Sequence, residues 1–193
     1  MDLVTLTIDG IKVQVPAGTT VLEAARSANI QIPTLCYLKD VNQIGACRMC
    51  LVDTGARALA AACVMPVSEG MVVKTNTPAV REARKVNMEL LLSNHDRKCL
   101  TCVRSKNCEL QTLAEELGVR DVRFEGAMSS HPIDDSSLSI VRDPGKCIQC
   151  RRCVAVCHKV QKVGVIGTVG RGFNTVIAPA FDEKLGDVGC INC

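Results

Sequence analysis

Thirteen cysteines are the residues of this sequence with the clearest capacity for chemistry, and they fall into three groups. The third group opens with a C-x2-C-x2-C-x3-C run and closes with a C-x2-C pair; its members are Cys147, Cys150, Cys153, Cys157, Cys190 and Cys193. In such a run three thiolates hold one [4Fe–4S] cluster, and the fourth ligates a second cluster. Two four-cysteine clusters need eight ligands and this group supplies six, so the sequence reads as if it ends within a motif.

The first group has the spacing C-x10-C-x2-C-x12-C and consists of Cys36, Cys47, Cys50 and Cys63. We expect these cysteines to lie in loops, where Gly45 and Ala46 allow backbone N–H groups to approach ligand sulfurs. Four thiolates can hold either a [2Fe–2S] cluster or a structural zinc ion, and the spacing alone leaves both open.

The second group combines one histidine with three cysteines as H-x3-C-x2-C-x5-C, namely His95, Cys99, Cys102 and Cys108. This donor set suits zinc or a [4Fe–4S] cluster with one imidazole ligand. A neutral imidazole in place of a thiolate would raise the cluster's reduction potential, as in Rieske centres. His158 follows the ferredoxin-like run where proline is usual, and we expect it not to be a ligand.

Composition favours metal ligands over disulfides. The first ten residues lack the features of a secretory signal, and no apolar run reaches the length of a membrane span. We therefore predict a cytoplasmic protein without membrane insertion, whose thiols stay reduced.

The net charge of +3 comes from interspersed charges of both signs, so no nucleic-acid partner is expected. The three groups use all thirteen cysteines, which leaves none for nucleophilic catalysis, and no nucleotide-binding motif is present.

The elements that would position the first group follow a recognisable order. Alternating apolar residues on both sides of Asp9-Gly10 predict a β-hairpin. Thr20 with Glu23 three residues later predicts a helix that opens with a capping box. Short strands are predicted at 49–53, 58–64 and 71–74. A hairpin, a helix and further short strands are the β-grasp pattern of small [2Fe–2S] domains.

Two helices should flank the second group. One begins at Pro78 and runs to about residue 94, and the other follows Cys108 and stops at Gly118. Residues 119–138 have the composition of a linker. Beyond it we predict short strands at 139–142, 163–169 and 175–177, with a turn at 143–146. The predicted fold is α+β, with a [2Fe–2S] domain at 1–77, a small helical domain at 78–118, the linker, and an incomplete two-cluster ferredoxin domain at 139–193.

The motifs resemble a known family. Residues 36–37, 45–50, 63–67 and 70–71 resemble the [2Fe–2S] domain of the large electron-input subunit of respiratory complex I. Residues 89–95, 99–102 and 107–110 resemble its His-ligated cluster region. This module is shared with [FeFe]-hydrogenases and NAD-dependent formate dehydrogenases. Residues 146–157 and 170–175 are most similar to [FeFe]-hydrogenase catalytic subunits of the cytosolic NAD(P)-linked or electron-bifurcating kind.

The resemblance implies an electron relay with one [2Fe–2S] cluster on the first group and one His-ligated [4Fe–4S] cluster on the second. Two further [4Fe–4S] clusters would lie on Cys147, Cys150 and Cys153, and on Cys157, Cys190 and Cys193, each completed by a cysteine beyond this sequence. The implied partners are flavin- and iron–sulfur-containing NAD(P)-reducing subunits and ferredoxin, in a hetero-oligomer. The hydrogen-activating H-cluster domain is absent, so this stretch alone would not turn over hydrogen. The alternatives are a formate dehydrogenase relay and a stand-alone electron carrier.

Overall fold

The computed structural model describes residues 2–193. It begins with the predicted hairpin: β1 (Leu3–Ile8) pairs antiparallel with β2 (Ile11–Pro16), and Ile8 lies opposite Ile11. The two turn residues, Asp9 and Gly10, both have positive φ, at 48° and 85°. That conformation matches the right-handed twist of the flanking strands and explains why an Asp-Gly pair stands here. Alternate residues of both strands point inward and are buried.

Helix α1 (Val21–Ser27) packs beneath this hairpin. Its first turn is capped as predicted, because the Thr20 hydroxyl accepts the N–H of Glu23 at 3.3 Å. The reciprocal half of the predicted capping box is wrong. The Glu23 carboxylate accepts hydrogen bonds from the Tyr37 hydroxyl at 2.8 Å and from Arg26 at 3.0 Å. Glu23 therefore anchors Tyr37, the residue that directly follows Cys36.

The remaining strands of the first region are present but shorter than predicted. β5 (Val72–Val73) pairs parallel with β1, which gives the sheet order β2-β1-β5. β3 (Leu51–Val52) and β4 (Ala60–Ala61) form a separate antiparallel pair. Each of these strands is two residues long. Cys50 directly precedes β3 and Cys63 follows soon after β4, so both cysteines lie just outside the ends of this strand pair.

The two predicted helices around the second group are confirmed. α2 (Pro78–Ser93) starts with proline at its first position, and the Thr77 hydroxyl caps the N–H of Val80 at 3.2 Å. A short 3₁₀ turn at Cys99–Thr101 follows. α3 (Glu109–Glu116) begins directly after Cys108, and the chain then reverses at Gly118 with φ of +64°.

Residues 119–138 form no helix or strand, but side-chain contacts anchor them to the rest of the protein. Arg123 pairs with Glu89 at 2.7 Å, and the N–H of Ser129 donates to Asn94 at 2.7 Å. The strand predicted at 139–142 is wrong, since Arg142 makes only an isolated bridge to Asp134. The chain then curls into a 3₁₀ turn at Pro144–Lys146, the place of the predicted turn. Pro144 cannot donate to a strand ladder, which stops any extension there.

The third region is built from one helix and a hairpin. α4 (Arg152–Ala155) continues into a π-helical turn at Val156–Val160. β6 (Ile166–Val169) then pairs antiparallel with β7 (Val176–Pro179). Both strands begin later than predicted. Lys162 and Gly164 have positive φ, which keeps the chain out of the extended conformation before β6.

Two apolar clusters hold the molecule together. The first contains the hairpin, α1 and the small strands, and it includes Cys50 and Cys63. The second joins Leu35 and Met49 of the first region to Met88 and Leu110 of the second, and Ile148 of the third region packs against it. Cys36 and Cys47 belong to it, and Cys108 and Cys150 pack against it. At least one cysteine from every group therefore contacts one apolar cluster.

Candidate iron–sulfur sites

The first cysteine group forms a compact, enclosed site. None of its four residues is more than 5% exposed, and Cys63 is fully buried. The thiols interact with one another: the neighbouring side chains of Cys47 and then Cys63 lower the pKa of Cys36, and that of Cys63 lowers the pKa of Cys50 to about 7. The backbone of Cys47 and then of Ala46 contributes further to the lowered pKa of Cys36.

The loops between closely spaced cysteines share an unusual backbone conformation. In each C-x2-C segment of the first and third groups one non-glycine residue has positive φ. These residues are Arg48 (55°), Gln149 (53°), Arg151 (57°) and Asn192 (55°). Left-handed residues within such a turn aim successive N–H groups inward and create a concavity that favours anions, including iron–sulfur sites. The strain persists where a site requires it.

The second group lines a cavity of about 110 Å³, which contains all four predicted ligands, His95, Cys99, Cys102 and Cys108. The Nδ1 atom of His95 is buried and lacks a hydrogen-bond partner among residues 2–193. Burial, followed by the nearby positive charge of Lys146, lowers the pKa of His95. The imidazole is thus held neutral, in the form that coordinates metals. The cavity approaches the size of one that binds a small organic molecule, so it offers more room than a single ion needs.

Lys146 connects the second group to the third. Its ammonium pairs with the Asp96 carboxylate at 3.0 Å and donates to the Asp96 carbonyl at 3.1 Å. It lines the second group's cavity and directly precedes Cys147 in the chain. The hydrogen bond to Asp96 raises the pKa of Lys146, so a stable ion pair lies between the two groups.

The third group is open by comparison. Five of its cysteines line one cavity of about 480 Å³: Cys147, Cys153, Cys157, Cys190 and Cys193. Cys150 packs instead against the second apolar cluster, towards the first group. Cys153 and Cys193 are exposed. The Cys147 sulfur accepts the N–H of Gln149 at 3.3 Å, and burial raises the pKa of Cys147. His158 is exposed.

Asn42 is a site residue that the sequence analysis missed. It is 2% exposed, and its Nδ2 donates to the carbonyls of Cys36 at 2.7 Å and Cys150 at 3.0 Å. The adjacent Val41 carbonyl accepts from Lys159 at 2.7 Å. One short loop therefore joins the first and third groups through the backbones of their cysteines. No local sequence pattern marks such a contact, because Cys150 lies 108 residues away.

All thirteen cysteines are free thiols in the structure. Within residues 2–193, no three His, Cys, Asp or Glu side chains form a ready-made site for a single metal ion. No helix in the same residues has the length and apolar character needed to cross a membrane. Clustered thiols, inward N–H groups and a neutral histidine are together typical of iron–sulfur proteins with ferredoxin-like folds.

Comparison with known proteins identifies the same class. Residues 1–78 match the family described as 2Fe-2S iron-sulfur cluster binding domain. Residues 84–123 match the NADH-ubiquinone oxidoreductase-G iron-sulfur binding region. The mixed α/β, ferredoxin-like iron–sulfur fold expected from the motifs is thereby confirmed, with both a 2Fe-2S and a 4Fe-4S binding region.

Similar proteins are subunits of larger oxidoreductases. The chain is 49% identical to the NADP-reducing hydrogenase subunit HndD of Solidesulfovibrio fructosivorans, over 100% of this chain and 34% of that subunit. It is 36% identical to the mitochondrial NADH-ubiquinone oxidoreductase 78 kDa subunit of Neurospora crassa, over 94% of this chain and 25% of that protein. The crystal structure of an NAD⁺-reducing [NiFe]-hydrogenase in the H₂-reduced state superposes with a TM-score of 0.91 at 29% identity, covering 97% of this chain and 80% of the other.

These similarities confirm the resemblance that the motifs predicted. Along nearly its whole length the chain is similar to the iron–sulfur subunits of NAD(P)-linked hydrogenases and of complex I. It spans only about a quarter to a third of the length of the two curated relatives.

Proposed function

We propose that the chain is the iron–sulfur electron relay of an NAD(P)-linked hydrogenase. The observation that carries this proposal is the second apolar cluster, which at least one cysteine of each group contacts. Iron–sulfur clusters whose ligands contact the same packed apolar cluster lie near one another and can exchange electrons. The 49% identity to an NADP-reducing hydrogenase subunit supports hydrogen metabolism as the context.

The proposed ligand sets follow the three groups. Cys36, Cys47, Cys50 and Cys63 would hold a [2Fe–2S] cluster, for which the mutual thiol contacts and inward N–H groups are suited. His95 with Cys99, Cys102 and Cys108 would hold a [4Fe–4S] cluster, because the unpartnered His95 nitrogen belongs to a cavity that the three thiols line. The six cysteines of the third group would supply three ligands to each of two further [4Fe–4S] clusters.

The clusters would supply one-electron chemistry, and the chain's own residues would control it. The enclosed first group excludes water from its sulfurs. The neighbouring cysteine side chains and backbone stabilise negative charge on Cys36, and the Lys146–Asp96 ion pair lies between the second and third groups. Hydrogen bonds and net charge of this kind are what set iron–sulfur reduction potentials.

We place the relay in a cytoplasmic [FeFe]-hydrogenase that works with flavin-containing NAD(P)-reducing subunits and ferredoxin. The ferredoxin-like run supports this choice. Its Arg152 forms a 2.7 Å ion pair with Glu109, which joins the third region to the second. The second candidate is the relay of a complex I-type NADH-ubiquinone oxidoreductase, favoured by the match of residues 84–123 and the 36% identity to a 78 kDa subunit of such an enzyme.

Metal analysis and selective reduction of the full-length protein in its native complex would test the proposal. Anaerobic preparations should contain iron and acid-labile sulfide, and EPR spectra should show [2Fe–2S] and [4Fe–4S] signals. Hydrogen gas should reduce these clusters and pass electrons to NAD(P)⁺. Stoichiometric zinc with iron near zero would refute the relay. Reduction by NADH but not by hydrogen, with quinone as the acceptor, would favour the complex I-type candidate.

A further inference from the structure

Helix α2 presents a buried arginine to the first cysteine group. Arg84 is 7% exposed, and its Nη2 donates to the carbonyl of Leu51 at 2.7 Å. Leu51 directly follows Cys50, so the guanidinium is fastened to the backbone beside one of the proposed ligands. This contact crosses from the second region to the first, at the place where α2 packs on β3.

The guanidinium lacks an adequate countercharge of its own. Its Nε is buried without a hydrogen-bond partner among the described residues. Burial lowers the pKa of Arg84, and the charges that oppose this effect are those of Cys50 and then Asp9. The Asp9 carboxylate is exposed and accepts from the N–H of Thr75 at 2.8 Å and from the Thr75 hydroxyl. A buried charge with so little compensation destabilises the fold unless an anion lies beside it.

We propose that Arg84 is a positioning residue that acts as the buried countercharge of the first cysteine group and raises the reduction potential of the cluster held there. The proposal rests on the [2Fe–2S] function proposed above. Reduction adds one electron, and therefore one negative charge, to a site whose four thiolates are already negative. A fixed cation close to Cys50 stabilises that reduced state more than the oxidised state, and low local polarity strengthens the effect.

The test is an EPR-monitored redox titration of the full-length protein in its complex, with dithionite as the one-electron donor. In the Arg84→Gln variant we expect the equilibrium constant for reduction of the [2Fe–2S] cluster to fall about tenfold, a shift of ~59 mV to more negative potential. The potentials of the other clusters should stay unchanged. Arg84→Lys, which keeps the charge, should retain most of the wild-type potential.

Arg81 provides the matched control. It lies on the same helix but is exposed, and it donates to the carbonyl of Asn76 at 2.8 Å. Arg81→Gln removes the same charge at a screened position and should leave the potential unchanged.

Three results would overturn the proposal. The first is a wild-type potential in Arg84→Gln protein that contains its full [2Fe–2S] signal. The second is an equal shift in Arg84→Lys and Arg84→Gln, which would show that packing rather than charge matters. If Arg84→Gln fails to load the cluster, Arg84→Lys decides, and a tenfold loss in that variant counts against the proposal. Absence of a [2Fe–2S] signal from the wild-type protein would instead refute the proposed function.

Discussion

The first and third cysteine groups provide comparable ligands in opposite surroundings. The four cysteines of the first group are enclosed by both apolar clusters, and none is more than 5% exposed. In the third group Cys153 and Cys193 are exposed, and five cysteines surround a cavity of about 480 Å³. The folded chain therefore brings the thiols of the first group into mutual contact, whereas those of the third group stand around an open space.

The supports of the two groups differ in the same way. Strands, α1 and buried aliphatic side chains hold the first group, so its geometry is a consequence of the core. Buried polar contacts hold much of the third. Asp134 accepts from Ser136 and Leu185 and pairs with Arg142, which in turn donates to the Ile177 carbonyl at 3.3 Å. Apolar burial therefore prearranges one site, while polar anchors and the bound cofactor must shape the other.

Removal of one ligand from each group should produce the largest contrast. In Cys63→Ala we expect loss of the [2Fe–2S] signal together with destabilisation of the whole first region. The binding free energy of a structural metal is also folding free energy, on the order of 10 kcal/mol. Cys153→Ala should lose a [4Fe–4S] signal but leave the first region intact. Anaerobic EPR and calorimetry of both variants provide the measurement.

Either of two outcomes would contradict this contrast between the first and third groups. One is a Cys63→Ala protein whose first region unfolds at the wild-type temperature. The other is a Cys153→Ala protein that also loses its [2Fe–2S] signal.

Removal of the Asn42 link between the first and third groups should give the next largest effect. Asn42→Leu removes both hydrogen bonds to the Cys36 and Cys150 carbonyls and leaves buried acceptors unpaired, which should cost about 2–4 kcal/mol in the free energy of unfolding. The looser contact should also weaken the magnetic interaction between clusters of the first and third groups. Denaturant unfolding and EPR relaxation measurements would detect these changes.

Asn87→Leu is the control for Asn42→Leu. The Nδ2 of Asn87 donates only to the Ala83 carbonyl, within α2, at 2.8 Å, so its loss should cost below about 1 kcal/mol and leave the cluster interaction unchanged. Equal effects of the two substitutions would show that Asn42 does not join the groups.

The features that sequence predicts here are those governed by neighbours in the chain. The Asp9-Gly10 turn, the Thr20 cap, the helix start at Pro78 and the cysteine spacings each depend on residues a few positions apart. The three cysteine groups are accordingly found as groups. The prediction of a strand at 139–142 is wrong because Arg142 pairs only with Asp134 and the chain bends at Pro144. The alternation of apolar residues does not reveal either feature.

The residues that sequence does not predict are those that act between regions. Asn42, Arg84 and Asp134 resemble ordinary surface residues in the sequence, and each becomes buried only through contacts at distances of 33 to 108 positions. Buried polar groups are stable only when a partner satisfies them, and the fold rather than the local pattern supplies that partner. The linker at 119–138 illustrates the same limit, since its composition gives no sign of its anchors.

The smallest predicted effect is a dependence on pH at Asp134, the buried carboxylate that anchors the third region. Hydrogen bonds from the Ser136 hydroxyl and then the Leu185 N–H, with Arg142 nearby, lower the pKa of Asp134 to about 2. The folded pKa lies below the unfolded value near 3.9, so the ionised carboxylate stabilises the fold above about pH 4, and this contribution is lost as the pH falls towards 2. Asp134→Asn should therefore cost about 1–2 kcal/mol in the free energy of unfolding at neutral pH and progressively less in acid.

The exposed Asp135 provides the control, because Asp135→Asn should change stability little at any pH. The measurement is hydrogen exchange at the Leu185 amide together with denaturant unfolding. A loss that stays constant down to pH 3, or one that Asp135→Asn reproduces, would mean that polar anchoring does not distinguish the third group from the first.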